Sequence, residues 1–137
     1  MSDKPTVVID TNVLLGWLVF NDPRVRPLAA QILRGDVVWI ACPAMREELA
    51  HMLSHHSLQR WSPDGERALA VFDGEARQRP NPAASAPAAL RCTDIDDQVF
   101  IDLALAEGAS QLFTRDRALL KLARKARGLG LEIRTPD

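Results

Sequence analysis

The chain has 137 residues, 47% of them hydrophobic and 26% charged, which predicts a single soluble domain spanning residues 1–137. No apolar run approaches the ~20 residues of a membrane span, and residues 1–5 show no charged-then-apolar signal pattern, so we expect a cytoplasmic protein without membrane contact. A net charge of −1 excludes a uniformly basic surface of the kind that attracts nucleic acid.

The first predicted element is a strand at the centre of a sheet. Residues 6–9 (TVVI) contain consecutive apolar β-branched residues without the alternation of a half-exposed strand, so both faces should be buried. Asp10 follows immediately, at the kind of strand end where parallel sheets collect their binding loops. Because an isolated aspartate is costly to bury, Asp10 should have a metal, a cationic side chain or hydrogen-bond donors as its partner.

Helical periodicity, prolines and glycines predict three helices and one strand in the next part of the chain. They are helices over residues 12–20, 23–34 and 43–53, and a buried strand over residues 37–42. In the third helix, Glu48 falls on the same side as the apolar residues Met45 and Leu49, and Glu47 falls on the opposite side. Glu48 should therefore lie against the body of the protein and Glu47 in solvent.

The middle of the chain carries weaker signals. Ser62 and Pro63 suit a helix cap and a first helical residue, and they predict a helix that continues to about Arg79. The stretch Gln78–Ala89 is rich in proline and alanine, which indicates an irregular surface loop. A short strand is expected over residues 89–92.

A cluster of aspartates opens the next predicted helix, which runs through Ala106 and stops at Gly108. Asp94 suits the N-cap position and Asp97 the capping-box position. By helical phase, Asp97 points toward the core and Asp102 points away from it. Asp97 is therefore a candidate for a site inside the fold.

Two strands and a basic helix complete the chain. Residues 111–114 (QLFT) predict a strand that ends next to Asp116, and residues 131–134 alternate as an edge strand would. The helix between them should expose the cations Arg117, Lys121, Arg124 and Lys125. Strands that alternate with helices predict an α/β protein, a three-layer α/β/α sandwich around a mostly parallel sheet. Right-handed crossovers then bring the carboxyl ends of the strands to one side.

Four acidic residues should meet at that side of the sheet. They are Asp10, Glu48, Asp97 and Asp116. Without a cation, four converging carboxylates would repel one another and raise their own pKa values. Oxygen ligands without a cysteine or histidine set favour Mg²⁺ or Mn²⁺ over zinc. One or two such ions are the arrangement of metal-assisted phosphodiester hydrolysis.

Four segments resemble motifs of the PIN-domain ribonucleases, in particular the VapC-type toxins of bacterial toxin–antitoxin pairs. They are VVIDTNVLL, PAMREELAHML, DIDDQVFIDLALAEGA and LFTRDRALLKL, in that order and spanning most of the chain. The resemblance is weakest over residues 54–90. It implies a PIN-like nuclease domain that cleaves single-stranded RNA with a water activated by Mg²⁺ or Mn²⁺, held by Asp10, Glu48, Asp97 and Asp116.

The same resemblance assigns further roles. Asn12 and Thr114 match the polar residues that orient the acids or the attacking water. The family also implies a homodimer, and inhibition by a cognate antitoxin protein whose peptide arm crosses the acidic cleft. From their charge and position beside the acids, Arg115, Arg117 and Lys121 are candidates for contacts with the RNA backbone.

Simpler interpretations exist for each acid taken alone. Asp10 and Asp116 could serve only as caps of the helices that follow them. Glu48 could form an ion pair with a nearby arginine such as Arg46. Only the joint occurrence of the four acids, together with the resemblance, favours a shared metal site.

Two neighbouring groups compete for the same role. Asp94 and Asp96 stand beside Asp97, and either could share its metal position, although helical phase favours Asp97. His51 and His55 are four residues apart on the predicted helix. Such pairs are more often solvated or partly packed than metal-bound, and these two could instead touch RNA at the rim.

The cysteines and tryptophans carry no sign of chemistry. Cys42 and Cys92 are far apart and form no CxxC pair, so we expect free thiols. Trp17, Trp39 and Trp61 are more typical of core or interface residues than of platforms for base stacking.

Three rival functions are consistent with an aspartate after the first strand. A haloacid-dehalogenase-like phosphatase needs a second aspartate two residues after the first, where this chain has Asn12. A phosphate-transfer receiver domain needs an acidic pair near the first strand, which is not evident. The remaining rival is a catalytically silent PIN fold that acts only as an RNA- or protein-binding module.

Overall fold

The computed structural model describes residues 4–84 and 86–137. The residues Met1–Asp3, which belong to the stretch without a signal pattern, and Ser85 of the predicted loop lie outside the described residues. Within the described ranges, no helix is long and apolar enough to cross a membrane.

A parallel sheet of five strands is the centre of the described part of the chain. The strands are β1 (Thr6–Ile9), β2 (Val38–Ala41), β3 (Arg77–Gln78), β4 (Gln111–Phe113) and β5 (Glu132–Arg134). Their spatial order is β3-β2-β1-β4-β5, and every neighbouring pair is parallel. Because the direction of strand progression reverses between β1 and β4, the carboxyl ends of these two strands flank the crevice where open parallel sheets bind ligands.

Helices connect the strands. They are α1 (Thr11–Leu18), α2 (Arg26–Arg34), α3 (Pro43–Leu53), α4 (Gly65–Glu75), α5 (Gln98–Ala106), α6 (Arg117–Leu120) and α7 (Ala123–Arg127). Short 3₁₀ turns are His56–Trp61, Ala88–Leu90 and Ile95–Asp97. Right-handed crossovers place the helices of the two halves on opposite faces of the sheet. The predicted α/β fold with its parallel central sheet is confirmed.

The central strand is buried on both faces, as its apolar run predicts. Val7 and Val8 are 0% exposed, and Phe100 and Ile101 of α5 are also 0% exposed. Helix α5 packs against both β1 and β4. The strand ends that carry the candidate acids are therefore anchored in the rigid centre of the core.

Trp39, Trp17 and the two cysteines occupy the expected kinds of position, whereas Trp61 lies outside the core. Trp39 is 1% exposed and its ring lies 5.8 Å from that of the half-buried Trp17. Trp61 is 47% exposed. Cys42 is buried, Cys92 is half-buried, and both are free thiols, as predicted.

The sheet edge beside β2 differs from the prediction. The strand expected over residues 89–92 was wrong: the region holds the 3₁₀ turn Ala88–Leu90, in which the Leu90 N–H donates to the Pro87 carbonyl at 2.8 Å. The edge strand is instead Arg77–Gln78, which the sequence assigned to a helix end and a loop. Two exposed polar residues carry no strand periodicity, and only their backbone pairing with β2 makes them a strand.

Several helix boundaries differ as well. Helix α2 begins at Arg26, because the residues after Asp22 form a turn closed by the Val25 N–H at 3.1 Å. The cap of α4 is Asp64 rather than Ser62, which has a φ of 45°. The predicted basic helix is divided into α6 and α7. The helices themselves exist where periodicity predicts them, and their ends depend on local turns.

Asp102 is buried, and the prediction that it points to solvent was wrong. It is 6% exposed and accepts a hydrogen bond of 3.2 Å from Gln98 Nε2. Gln98 also donates to the Leu90 carbonyl at 3.2 Å and accepts from the Cys92 N–H at 2.6 Å. The segment before α5 covers this side of the helix, and helical phase alone cannot reveal such a cover.

Candidate active site

Asp10 lies at the carboxyl end of β1 and is held by the end of β4. Its backbone N–H donates to the Phe113 carbonyl at 2.9 Å, which continues the β1–β4 ladder past both strands. Asp10 is 3% exposed, and its Oδ2 accepts a hydrogen bond of 2.7 Å from the hydroxyl of Thr114. Thr114 is itself fully buried. Thr114 thus contacts Asp10 directly, as an orienting residue would.

The carboxyl of Asp10 is poorly solvated. Burial raises the pKa of Asp10, and this is the largest effect on it. The Thr114 hydroxyl and the backbone amides of Asn12 and Thr11 lower the pKa, whereas the charge of Asp116 raises it. Asn12 therefore acts on Asp10 through its backbone, and its side chain is exposed. A cation placed beside Asp10 would favour the charged form that burial disfavours.

Glu48 on α3 reaches the same group of acids. It is half-buried. Burial raises the pKa of Glu48, an interaction with the Thr11 hydroxyl lowers it, and the charges of Asp10, Asp96 and Asp94 raise it again. Glu48 is therefore within electrostatic range of acids on two other segments of the chain.

The simpler interpretation of Glu48 does not hold. Arg46 Nε and Nη2 donate to the two carboxylate oxygens of Asp73 at 2.7 and 2.9 Å, so Arg46 is paired elsewhere. Glu47 is exposed, as predicted. Adjacent glutamates on one helix thus face the acidic group and the solvent respectively.

Asp97 ends the 3₁₀ turn that precedes α5, and it is 9% exposed. Burial raises the pKa of Asp97 to about 7, with further contributions from the charges of Asp10, Asp116 and Asp94. Asp94 caps the 3₁₀ turn rather than α5, by accepting from the Asp96 N–H at 3.0 Å. Asp94 and Asp96 are both exposed, so the buried member of the cluster is the one that helical phase favours.

Asp116 caps a helix and also belongs to the acidic group. Its Oδ1 accepts from the Ala118 N–H at 2.8 Å, and its own N–H donates to the Thr114 hydroxyl at 3.0 Å. Its charge raises the pKa of both Asp10 and Asp97. The capping and ligand interpretations are compatible, because the cap uses one carboxylate oxygen of two.

The donor set of these four acids suits a hard divalent cation. Every donor is a carboxylate oxygen, which Mg²⁺ and Mn²⁺ prefer. A cation would offset the burial, and then the neighbouring negative charges, that raise the pKa values of Asp10, Glu48 and Asp97. Within residues 4–84 and 86–137, no three His, Cys, Asp or Glu side chains are arranged so that they could already hold an ion.

A cleft of about 370 Å³ opens beside Glu48. Its walls are Ala44, Glu48, His51, Met52, Asp96 and Val99. His51 is exposed at this cleft, whereas His55 accepts a hydrogen bond of 3.2 Å from the Ser57 N–H and caps a 3₁₀ turn. The rings of the two histidines lie 6.3 Å apart, edge to face.

The three basic candidates differ in their exposure. Arg117 and Lys121 are exposed. Arg115 is engaged inside the protein, where its Nη1 pairs with Asp22 Oδ2 at 2.7 Å. Its side chain is 26% exposed, so Arg115 is more enclosed than the other two candidates.

Sequence reasoning missed two pairs of polar residues. Gln98 and Asp102 are four residues apart on one helix, a spacing at which side chains meet, and that signal was available. No local pattern links Arg115 to Asp22, which lies 93 positions away in the sequence. Only the fold brings that second pair together.

The raised pKa values predict how stability depends on pH without divalent ions. The pKa of Asp97 is about 7 in the folded protein, against about 4 in an unfolded chain. The folded state therefore binds a proton that the unfolded state does not, and the free energy of unfolding should fall as pH rises from about 4 to about 7. Urea unfolding in EDTA across this range should show a weaker fall in Asp97→Asn. An identical pH dependence in both proteins would contradict the assignment.

The protein has an α/β fold with a parallel sheet. Its acidic residues gather at the carboxyl ends of β1 and β4, where the strand order reverses and open sheets of this class bind ligands. The profile of the PIN domain family matches residues 6–118, so the chain belongs to the PIN domain family. The resemblance seen in the four sequence motifs is thereby confirmed at the level of the family.

The fold is shared with solved structures, and one of them matches over nearly its whole length. It is the crystal structure of VapBC2 from Rickettsia felis bound to a DNA fragment from its promoter, with 14% identity and a TM-score of 0.61. The match covers 93% of this chain and 98% of that chain. No curated protein matches the chain by sequence.

Proposed function

We propose that this protein is an Mg²⁺- or Mn²⁺-dependent endoribonuclease that cleaves single-stranded RNA, with Asp10, Glu48, Asp97 and Asp116 as the residues that would hold the ion or ions. The observation that carries the proposal is the meeting of four carboxyls, from four separate elements, at one sheet edge, where burial and then neighbouring acids raise the pKa values of Asp10, Glu48 and Asp97. When bound, the ion would lower the pKa of water and neutralise charge on the phosphodiester.

Other residues of the chain would orient the acids and attract the substrate. Thr114 holds Asp10 through the 2.7 Å hydrogen bond and also accepts from the Asp116 N–H, so one hydroxyl orients two of the acids. Arg117 and Lys121, both exposed, would attract the phosphates of the strand. Their position after β4 puts positive charge on the chain segment that follows Asp116, which offsets the repulsion between an acidic site and an anionic substrate.

The direct test compares two adjacent glutamates. Even residues that only orient a metal ligand contribute about 10–100-fold to activity, so Glu48→Gln should slow cleavage of a single-stranded RNA oligonucleotide by at least about tenfold. Glu47→Gln makes the same change of charge on the exposed side of α3 and should leave the rate unchanged. Cleavage is measured in Mn²⁺ or Mg²⁺, and EDTA should stop it. Equal rates for the two variants would contradict the assignment of Glu48.

We further propose that the chain is a toxin held inactive by a cognate antitoxin protein, that it forms a homodimer, and that residues 1–137 act as a single domain in the cytoplasm. The family motifs and the structural similarity to VapBC2 support this part of the proposal. Induced expression in a bacterium should arrest growth for the wild type and not for Asp10→Asn. If the protein binds RNA without cleaving it and does not respond to divalent ions, the silent binding module replaces this proposal.

A further inference from the structure

Asp22 forms a dense hydrogen-bonded cluster outside the acidic group. Its side chain is 13% exposed. Oδ1 accepts from the backbone N–H of Arg24 at 2.9 Å and from its Nε at 3.2 Å. Oδ2 accepts from Arg24 Nη2 at 3.1 Å and from Arg115 Nη1 at 2.7 Å. Four hydrogen bonds thus fix a carboxylate that, in the sequence, only marks the end of the first helix.

The shortest of these bonds ends in the segment that carries two site residues. Arg115 stands between Thr114, whose hydroxyl donates to Asp10, and Asp116, whose N–H donates to that hydroxyl. The side chain of Arg115 therefore ties this segment to the turn after α1. Because α1 begins directly after Asp10, the contact between Arg115 and Asp22 links the end of β4 to the end of β1 by way of α1.

Arg115 is held in a place that does not satisfy its own hydrogen bonding. Its Nη2 is buried and has no hydrogen-bond partner among the described residues. An unpaired buried donor is unfavourable, and native structures contain few of them. We therefore attribute the position of the guanidinium to its contact with Asp22.

We propose that Asp22 is a positioning residue of the acidic site. Through Arg115 it holds residues 114–116, and with them the Thr114 hydroxyl against Asp10, in the arrangement that receives the divalent ion. This inference rests on the proposed metal-dependent function. It also assigns Arg115 a role inside the protein in place of a contact with the RNA backbone.

The test replaces one carboxylate and compares it with a matched pair elsewhere. Asp22→Asn should weaken Mn²⁺ binding and lower kcat, each by about tenfold, with KM for an RNA oligonucleotide unchanged. Asp73→Asn breaks the bidentate Arg46–Asp73 pair between α3 and α4, an exposed ion pair, and should leave all three quantities unchanged. Mn²⁺ affinity is read from calorimetry and the rates from a labelled oligonucleotide.

Variants of the arginine separate positioning from RNA contact. Arg115→Gln should reproduce the loss of Mn²⁺ affinity, and Asp22→Asn combined with Arg115→Gln should be no worse than either change alone. Arg115→Lys keeps one cationic donor for Asp22 and should retain more affinity than Arg115→Gln. An increase in KM with unchanged Mn²⁺ affinity in Arg115→Gln would mean that Arg115 contacts RNA, and would overturn the proposal.

Hydrogen exchange tests the positioning role independently of the function. The Asp116 amide, which donates to the Thr114 hydroxyl at 3.0 Å, should exchange faster in Asp22→Asn than in the wild type and in Asp73→Asn. If the wild type neither binds Mn²⁺ nor cleaves RNA, the proposed function fails, and this measurement still decides the positioning role. Unchanged exchange at Asp116 in Asp22→Asn would overturn that role whatever the activity.

Discussion

Mn²⁺ at about 100 times its dissociation constant should raise the free energy of unfolding of the wild type by about 2.7 kcal/mol, and it should stabilise Asp10→Asn much less. Asp10 is the most buried of the four acids, at 3% exposure, and the charge of Asp116 contributes to raising its pKa. Removing its charge would take away one of the proposed ligands. Urea unfolding, with and without Mn²⁺, measures both quantities.

Without metal, we expect Asp10→Asn to have the opposite effect on the free energy of unfolding. Because burial raises the pKa of Asp10, its ionised form is unfavourable in the folded protein, and Asp10→Asn should be equally or more stable than the wild type in EDTA. Asn still offers an oxygen to the Thr114 hydroxyl. The control is Asp36→Asn, which removes an exposed carboxylate paired with Arg34 at 3.0 Å and should respond to Mn²⁺ like the wild type. If the wild type does not respond to millimolar Mn²⁺, the carboxyls are not a metal site.

Trp39→Ala should lower the free energy of unfolding by about 3–5 kcal/mol, the range for removing a large buried side chain from a core. Trp39 is 1% exposed and lies on β2. Its ring meets Phe72 of α4 edge-on at 5.3 Å and Trp17 of α1 at 5.8 Å. Truncation would leave a cavity between two helices and the sheet. Chemical unfolding followed by circular dichroism measures the loss, since tryptophan fluorescence itself changes.

A second tryptophan provides the matched control. Trp61 is 47% exposed and contacts Phe20 edge-on at 4.9 Å. Trp61→Ala should cost only about 1 kcal/mol, the scale of a single aromatic contact. Comparable losses for Trp39→Ala and Trp61→Ala would show that the burial of the side chain does not decide its contribution.

The local signals that predicted the site were of two kinds. The apolar run before Asp10 placed that residue at the end of a central strand, and helical phase distinguished Glu48 from Glu47 and favoured Asp97 over its neighbours. These inferences succeeded because the period of an element decides which side of it faces the core. The same reasoning failed at Asp102, since a loop that packs on a helix leaves no trace in the period of that helix.

The order of the main strands and helices, the family, and the four candidate acids could all be predicted from the sequence. Each element and each motif is encoded by residues that are near one another in the chain, and the general rules for parallel sheets bring the four acids to one side. The tertiary structure alone decided that Arg77–Gln78 is an edge strand, that the Thr114 hydroxyl holds Asp10, and that Asp22 engages Arg115. The physical reason is that these contacts join groups dozens of residues apart, and their partners are chosen by strand order and packing, which no local pattern of residues encodes.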